Sequence, residues 1–414
     1  MKVLKFLVSY FICSMIVLSC STVPVLSSPI KSTANKHTQN IKKTQTHKTN
    51  LNKFTQVKTN KAKISKKKSL VKFVKVVKKS KNVKQPSIKH VFFKENFYSN
   101  KLNAHLIIVD LNNPSVSLDI VLAHNNTSKK ETVYQMAKRV GAVAAINGSF
   151  FHSKYSINSP VGIVMSNGVV LSDSGHRRTS IGIAKNNRVI IGIPKIENFV
   201  QMPEIGISMK LSGINQMRRR NNTILYTNYF GARTKTKGSG REILVNEYGT
   251  IIDYKMNNSI IPKRGFVISI AGAGSDIADK YPIGTLAYME SIKVSPWDNV
   301  DTILTGSPQL IKHGKVYNTY YQENLQKSLI YPATRTAVGI THNNKLLMLT
   351  VTGKLTFTKL AKIMKRLGAI DALALDGGSS TSMYLNGKKL VTCQRPVTNA
   401  LVVKIKPKKK FFIF

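Results

Sequence analysis

Acidic residues are scarce in this chain of 414 residues: 18 Asp and Glu stand against 64 Lys and Arg, for a formal net charge of +46. Cysteine is scarcer still. Of the three, Cys13 and Cys20 fall in the first twenty positions, so a mature chain has at most one ordinary thiol, Cys393, and no internal disulfide. Residues 6–18 form an apolar run that is too short to span a bilayer. There is no His-Glu-x-x-His, paired-Cys or EF-hand pattern, and no P-loop or dinucleotide fingerprint. His152 and His176 would share a metal only by chance proximity. The sequence therefore implies no metal and no cofactor, and it shows no internal repeat.

What is present at the start reads as an export signal: Lys2 and Lys5, the apolar run, then small residues to Ser28. Val17-Leu18-Ser19-Cys20 resembles a lipoprotein box, which would leave a lipid anchor on Cys20. Cleavage near Ser27 would instead release a free protein that is periplasmic, cell-surface or secreted. Residues 29–90 are rich in Lys, Thr, Asn and Ser and hold no acid, and residues 29–100 carry 20 Lys against Glu95. Such a composition cannot bury enough apolar surface to offset ordering, so this segment is expected to be disordered. It reads equally as an electrostatic tether to an anionic membrane or envelope polymer and as a solvated spacer. Within it, residues 71–77 could form a short strand. Removing +2 for residues 1–28 and +19 for residues 29–100 from +46 leaves +25 for the remainder. Its ligand is expected to be an anion: phosphate, an anionic glycan or nucleic acid.

From Val91 the texture becomes short β-rich runs with turn signals. Residues 104–111 and 116–123 read as strands paired across Asn112-Asn113-Pro114. Asn167-Gly168, Asn186-Asn187, Tyr248-Gly249 and Asn386-Gly387 each separate two apolar runs as hairpin turns. Two helices are expected. One spans residues 129–140 with Ser128 as cap; the other spans 358–367 and ends at Gly368. The pattern predicts an α+β fold of largely antiparallel β-sheets with a few packed helices, as a single catalytic domain over 91–406 followed by a basic and apolar tail at 407–414.

Each helix leads into an apolar strand ending in a polar, glycine-containing cluster: Asn147-Gly148-Ser149-Phe150-Phe151 and Asp376-Gly377-Gly378-Ser379-Ser380. Glycines let backbone turn sharply beside a ligand, and successive N–H groups in such a turn can hold an anion. Arg335, in Arg335-Thr336-Ala337-Val338-Gly339, opens a strand. Arg395, in Arg395-Pro396-Val397-Thr398-Asn399-Ala400-Leu401, precedes the last one. Arginine suits bidentate phosphate contacts.

Together these four stretches resemble the signature stretches of the phosphodiester glycosidase family, in the family's order, with weaker matches between them. The resemblance covers about residues 95–405. It implies an exported hydrolase that removes a sugar, N-acetylglucosamine in the family's mannose 6-phosphate uncovering enzyme, from a glycosyl phosphodiester. Many exported relatives are linked to envelope polysaccharide. Ser149, Ser379 and Ser307 stand where the family often has Gly, and Gln394 where it often has Glu, which bears on substrate preference and activity.

The leaving group in such a reaction is a phosphomonoester, which departs with little proton donation, so stabilising its charge matters most. Arg335, Arg395 and the backbone from Gly377 through Gly378 and Ser379 to Ser380 are the candidates for that. A carboxylate is needed to attack the anomeric carbon or activate water. Asp376 is the first candidate and Glu242 the second; Asn147 and Asn399 would hold sugar hydroxyls or the phosphate. Two alternatives stand beside this reading: a non-catalytic module that binds anionic envelope glycan, and a nucleic-acid binder, against which the export signal and the lack of a reading motif count.

Overall fold

In a computed structural model the described residues are 87–406, except 98–99 and 155–156. The expectations for the export signal, the Lys-rich segment with its short strand, and the tail from 407 fall outside them.

The described part is mostly antiparallel sheet. A seven-stranded sheet runs in the order Ile88–Phe97, Asn100–Asp110, Lys345–Leu355, Ala333–Thr341, Ala369–Leu375, Gln309–Lys312, Lys315–Val316, and every pairing in it is antiparallel. A five-stranded sheet runs Lys388–Val391, Met383–Leu385, Ala144–Asn147, Asn399–Ile405, Val116–Leu122. A ten-stranded sheet contains the one parallel pair among the described strands, Gly213–Ile214 with Thr223–Thr227.

The sheets are layered because their central strands are apolar on both sides. Leu346 and Met348 face a core shared with Ile120 and Leu401 of the five-stranded sheet and Ile181 and Leu304 of the ten-stranded one. Leu347, Leu349 and Val351, one step out of phase, face Leu360, Ile363 and Met364 of the helix Phe357–Arg366. On the far side of the five-stranded sheet, Val133, Met136 and Ala137 of the helix Val133–Arg139 pack on Ala145, Ala400 and Val402. The order is helix, sheet, sheet, helix. Burial at about 25 cal/mol per Å² of apolar surface drives each of these contacts.

The hairpin turns expected at Asn167-Gly168, Asn186-Asn187, Tyr248-Gly249 and Asn386-Gly387 all form. At the first, Asn167 and Gly168 both hold positive φ, 50° and 82°, as a two-residue hairpin requires. Two expectations need correction. Residues 104–111 and 116–123 do form strands, but they do not pair. Asn100–Asp110 bonds to Lys345–Leu355, and Val116–Leu122 bonds to Asn399–Ile405. The turn at Asn112-Asn113-Pro114 carries the chain from one sheet to the other, so the two strands meet face to face across the core. The first helix starts later than expected. Its cap is Thr132, whose hydroxyl accepts from the Gln135 N–H while Gln135 reaches back to the Thr132 N–H. Helix cannot begin earlier because Glu131 is bridged to Val397, and the Ser128 hydroxyl donates to the carbonyl of Phe230. The second helix spans Phe357–Arg366 under a Thr356 cap, with Gly368 at φ +90° just beyond it.

Candidate functional site

Asp376 follows the last residue of the strand Ala369–Leu375 in the seven-stranded sheet, and Asn147 ends the strand Ala144–Asn147 in the five-stranded sheet. The two strand ends meet. The Asp376 N–H donates to Gly148 O at 3.1 Å, and Asn147 Nδ2 donates to Asp376 O at 2.7 Å. Asn147 Oδ1 accepts from Thr336 Oγ1 at 3.0 Å and from the Ser382 N–H at 3.1 Å. Asn399 closes the same junction: its Oδ1 accepts from the Ser149 N–H, its Nδ2 donates to Ser149 Oγ, and its carbonyl accepts from the Gly148 N–H. A side chain at Gly148 would overlap the Asn399 carboxamide, and one at Gly377 would strike Thr334 O at 2.7 Å. Both glycines are needed for close approach.

All four stretches therefore converge, but their side chains divide in role. Asn147 and Asn399 are buried and their polar atoms are engaged by the protein. Arg395 is at the centre: its Nη2 lies 3.3 Å from Asp376 Oδ2, its Nε donates to Ser380 Oγ at 2.8 Å, and its guanidinium lies 4.6 Å over the ring of Phe151. The Arg395 side chain is 48% exposed while that of Asp376 is 6% exposed, so the pair has one free face. Burial pushes the Asp376 carboxyl up to about 6, against the opposing effects of Ser380, Arg395 and the Gly377 N–H. In the turn beyond it, the N–H groups of Ser380 and Thr381 donate to Gly377 and Gly378 carbonyls. Those of Gly378 and Ser379 have no acceptor among the described residues. Gly378 holds φ +59° with open space where a Cβ would stand.

Two expected residues do not join this cluster. Arg335 sits one strand from Asp376, but its guanidinium turns the other way. It donates to the carbonyls of Leu355, Leu329, Ile330 and Tyr331 and stacks 3.8 Å over Phe357, and burial pushes it down to about 10. Glu242 lies in the strand Arg241–Val245, near one edge of the ten-stranded sheet. Its Oε1 accepts from Thr236 and Ser269 hydroxyls, and its Oε2 from the Thr234 hydroxyl and the Ser259 N–H. With two donors on each oxygen it has no lone pair for a substrate, and no contact among the described residues ties it to Asp376. It is a buried structural carboxylate.

Sequence reasoning missed Arg178. Its stretch, Arg178-Thr179-Ser180-Ile181-Gly182-Ile183, parallels Arg335-Thr336-Ala337-Val338-Gly339-Ile340, and that likeness was the available signal. The Gly306 N–H donates to Thr179 O and the Ser307 N–H to Ala374 O, which places Arg178 one connection from the Asp376 strand. Glu323, also missed, accepts from the N–H and hydroxyl of Thr179 and from the Thr319 hydroxyl. It carries no pattern signal in its loop. No group of three or more His, Cys, Asp or Glu among the described residues is placed to hold a metal.

No curated protein matches the chain. Among solved structures, a hypothetical protein from Synechocystis superposes with a TM-score of 0.69 at 20% identity, over 77% of this chain and 62% of that one. The chain thus spans less than two thirds of that relative's length. A protein of Burkholderia pseudomallei K96243 described as exported superposes with a TM-score of 0.62 at 17% identity, over 75% of this chain and 74% of its own. The zebrafish N-acetylglucosamine-1-phosphodiester alpha-N-acetylglucosaminidase catalytic domain, auto-inhibited by its pro-peptide, aligns over 80% of this chain and 86% of its own at 16% identity, with a TM-score of 0.43. The first two establish a shared fold. Residues 239–404, which hold Arg335, Asp376, Arg395 and Asn399, match the family model described as Phosphodiester glycosidase, the family that the four stretches resemble.

Proposed function

We propose that the protein is an exported hydrolase that cleaves a sugar, of the N-acetylglucosamine kind, from a glycosyl phosphodiester at Asp376. The observation that carries this reading is the buried Asp376 carboxylate held against the half-exposed Arg395, beside the two free N–H groups of Gly378 and Ser379. Arg395 and those N–H groups bind the phosphate and stabilise the charge that grows as it departs. Asp376 attacks the anomeric carbon or activates water. A phosphomonoester leaves readily without a strong general acid, so one carboxylate suffices, and Glu242 is not required. Asn147 and Asn399 hold the two strand ends in place. The family match over residues 239–404 supports the reaction class.

Export is supported by the N-terminal sequence and by the exported description of the Burkholderia relative. No helix among the described residues is long and apolar enough to cross a membrane. The surplus of positive charge suits residence against an anionic envelope, and the Lys-rich sequence of residues 29–90 would supply that contact.

The test is to incubate the purified protein with N-acetylglucosamine-1-phosphodiester and related sugar phosphodiesters and to measure free sugar. Turnover that Asp376→Asn abolishes while ligand binding persists is the expected result. A folded protein with no turnover on any of them would turn the reading to an anionic-glycan-binding module.

A further inference from the structure

A cleft of about 560 Å³ opens beside the hairpin formed by Phe151–Lys154 and Ile157–Pro160. His152, His176 and Arg219 line it, with the amides of Gln216 and Asn222 and several serine hydroxyls, and no carboxylate is among its lining residues. Burial holds the His152 imidazole below its ordinary pKa, and the fields of His176, Arg219 and the nearby Arg178 reinforce it. Three cationic or cationisable groups thus line one space, and a fourth, Arg178, acts on it from outside the lining.

The protein does little to neutralise them. Arg219 is exposed and makes no hydrogen bond or ion pair among the described residues. Arg178 is half-buried, its carbonyl accepts from the Ser180 hydroxyl, and its guanidinium makes no hydrogen bond among the described residues. Glu323 attracts it, but that carboxylate is engaged by Thr179 and Thr319. Asp173, the acid near His176 in sequence, is held by Arg177, Asn198 and the Gly175 N–H. Glu323 offsets part of the Arg178 charge, but no carboxylate lines the cleft beside His152, His176 and Arg219, and like charges so gathered are relieved by a bound anion.

Two chain connections link the surroundings of the cleft to the Asp376 strand. His152 follows Phe151, whose ring carries Arg395, and Thr179, next to Arg178, is bonded to Gly306, whose neighbour Ser307 is bonded to Ala374.

We infer that this cleft binds an oxyanion, a phosphate or its like, carried by the aglycone beyond the scissile phosphodiester, so that the substrate is a polyanionic chain. Assigning the anion to the aglycone rests on the function proposed above; the anion site itself does not.

The first arm titrates the protein with inorganic phosphate and follows the His152 imidazole by NMR. Bound phosphate should raise its pKa, and Arg219→Gln or Arg178→Gln should weaken binding about tenfold, the worth of one charge-assisted hydrogen bond. Arg219 is exposed, so its replacement leaves the fold intact. No response at His152, or phosphate affinity in both variants equal to the parent's, overturns the inference. The second arm compares a minimal sugar phosphodiester with one bearing a second phosphate in its aglycone. In Arg219→Gln, KM should rise about tenfold for the second and stay within about twofold for the first. Equal changes for both overturn the aglycone assignment. Phosphate binding at His152 in a protein without turnover supports the anion site and overturns the glycosidase reading, so the two failures are separable.

Discussion

Asn147 donates its side-chain amide to the main-chain carbonyl of Asp376 at 2.7 Å, across 229 residues of sequence. This bond fixes the direction in which the Asp376 strand leaves the seven-stranded sheet, because Asn147 is itself held at Oδ1 by Thr336 and Ser382. Asn147→Asp replaces the donor with a second acceptor facing a carbonyl in a fully buried position. We expect a loss of about 2–4 kcal/mol in stability, measured by denaturant unfolding followed by the fluorescence of Trp297, which is 2% exposed. Catalytic efficiency should fall in the fraction that remains folded, because Asp376 loses its support. A variant of unchanged stability would show that the bond does not hold the junction.

Arg395 and Arg335 should part company under substitution. Arg395→Ala removes an opposite charge from Asp376, so the carboxyl should titrate above its value of about 6 and the acidic limb of the pH–rate profile should move to higher pH. Arg335→Ala removes four hydrogen bonds to carbonyls and a contact with Phe357. It should lower stability by about 3 kcal/mol or more and leave the limb in place. A shift of the limb in Arg335→Ala would return Arg335 to the chemistry.

Ser307 stands where the resembled family often has Gly, and it holds φ +141° with a buried hydroxyl that has no hydrogen-bond partner. Ser149 and Ser379, the other two replacements, are absent from the positive-φ residues and carry no such strain. Ser307→Gly should therefore stabilise the protein by about 1–2 kcal/mol, read as a higher midpoint in the same unfolding assay. A lower midpoint would mean that the hydroxyl contributes more than the strained backbone costs.

Local structure was legible in the sequence wherever its cause was local. Asn167-Gly168 supplies its own positive φ angles, and the helix Phe357–Arg366 carries both its apolar stripe and its terminal Gly368. Sheet partnership was not legible. Whether 104–111 pairs with 116–123 depends on strands more than two hundred residues downstream, which compete for both edges. The site shows the same division. Four separated stretches were readable as a set through their family resemblance, and they converge. The direction of the Arg335 side chain was not readable, because it is set by carbonyls at the end of the short helix Lys327–Ile330 and by Leu355. Nor was the seclusion of Glu242, which depends on three hydroxyls and a main-chain N–H from three other segments.

Glu242→Gln tests that seclusion. A neutral amide presents an N–H₂ group to hydroxyls and an N–H that already donate, so the substitution should cost about 2–4 kcal/mol in stability. It should leave kcat per folded molecule within about twofold of the parent. A large fall in kcat with normal stability would restore Glu242 as the second carboxylate.

The raised Asp376 pKa has a consequence for stability whose sign is fixed. An unfolded aspartate titrates near 3.8 and the folded one at about 6, so between these values the folded state binds more protons. The stabilisation is complete below about pH 3.8 and is lost as pH rises through about 6. A difference of about two pK units corresponds to about 3 kcal/mol. Asp376→Asn abolishes the titration. Its stability relative to the parent should thus improve steadily from pH 4 to pH 7 in unfolding followed at Trp297. Over the same interval the parent's kcat/KM should climb with a limb near pH 6, because the ionised carboxylate is the reacting form, while the variant remains inactive throughout. A stability difference independent of pH would mean that Asp376 titrates alike in both states, and the buried carboxylate proposed to do the chemistry would then lack the environment assigned to it.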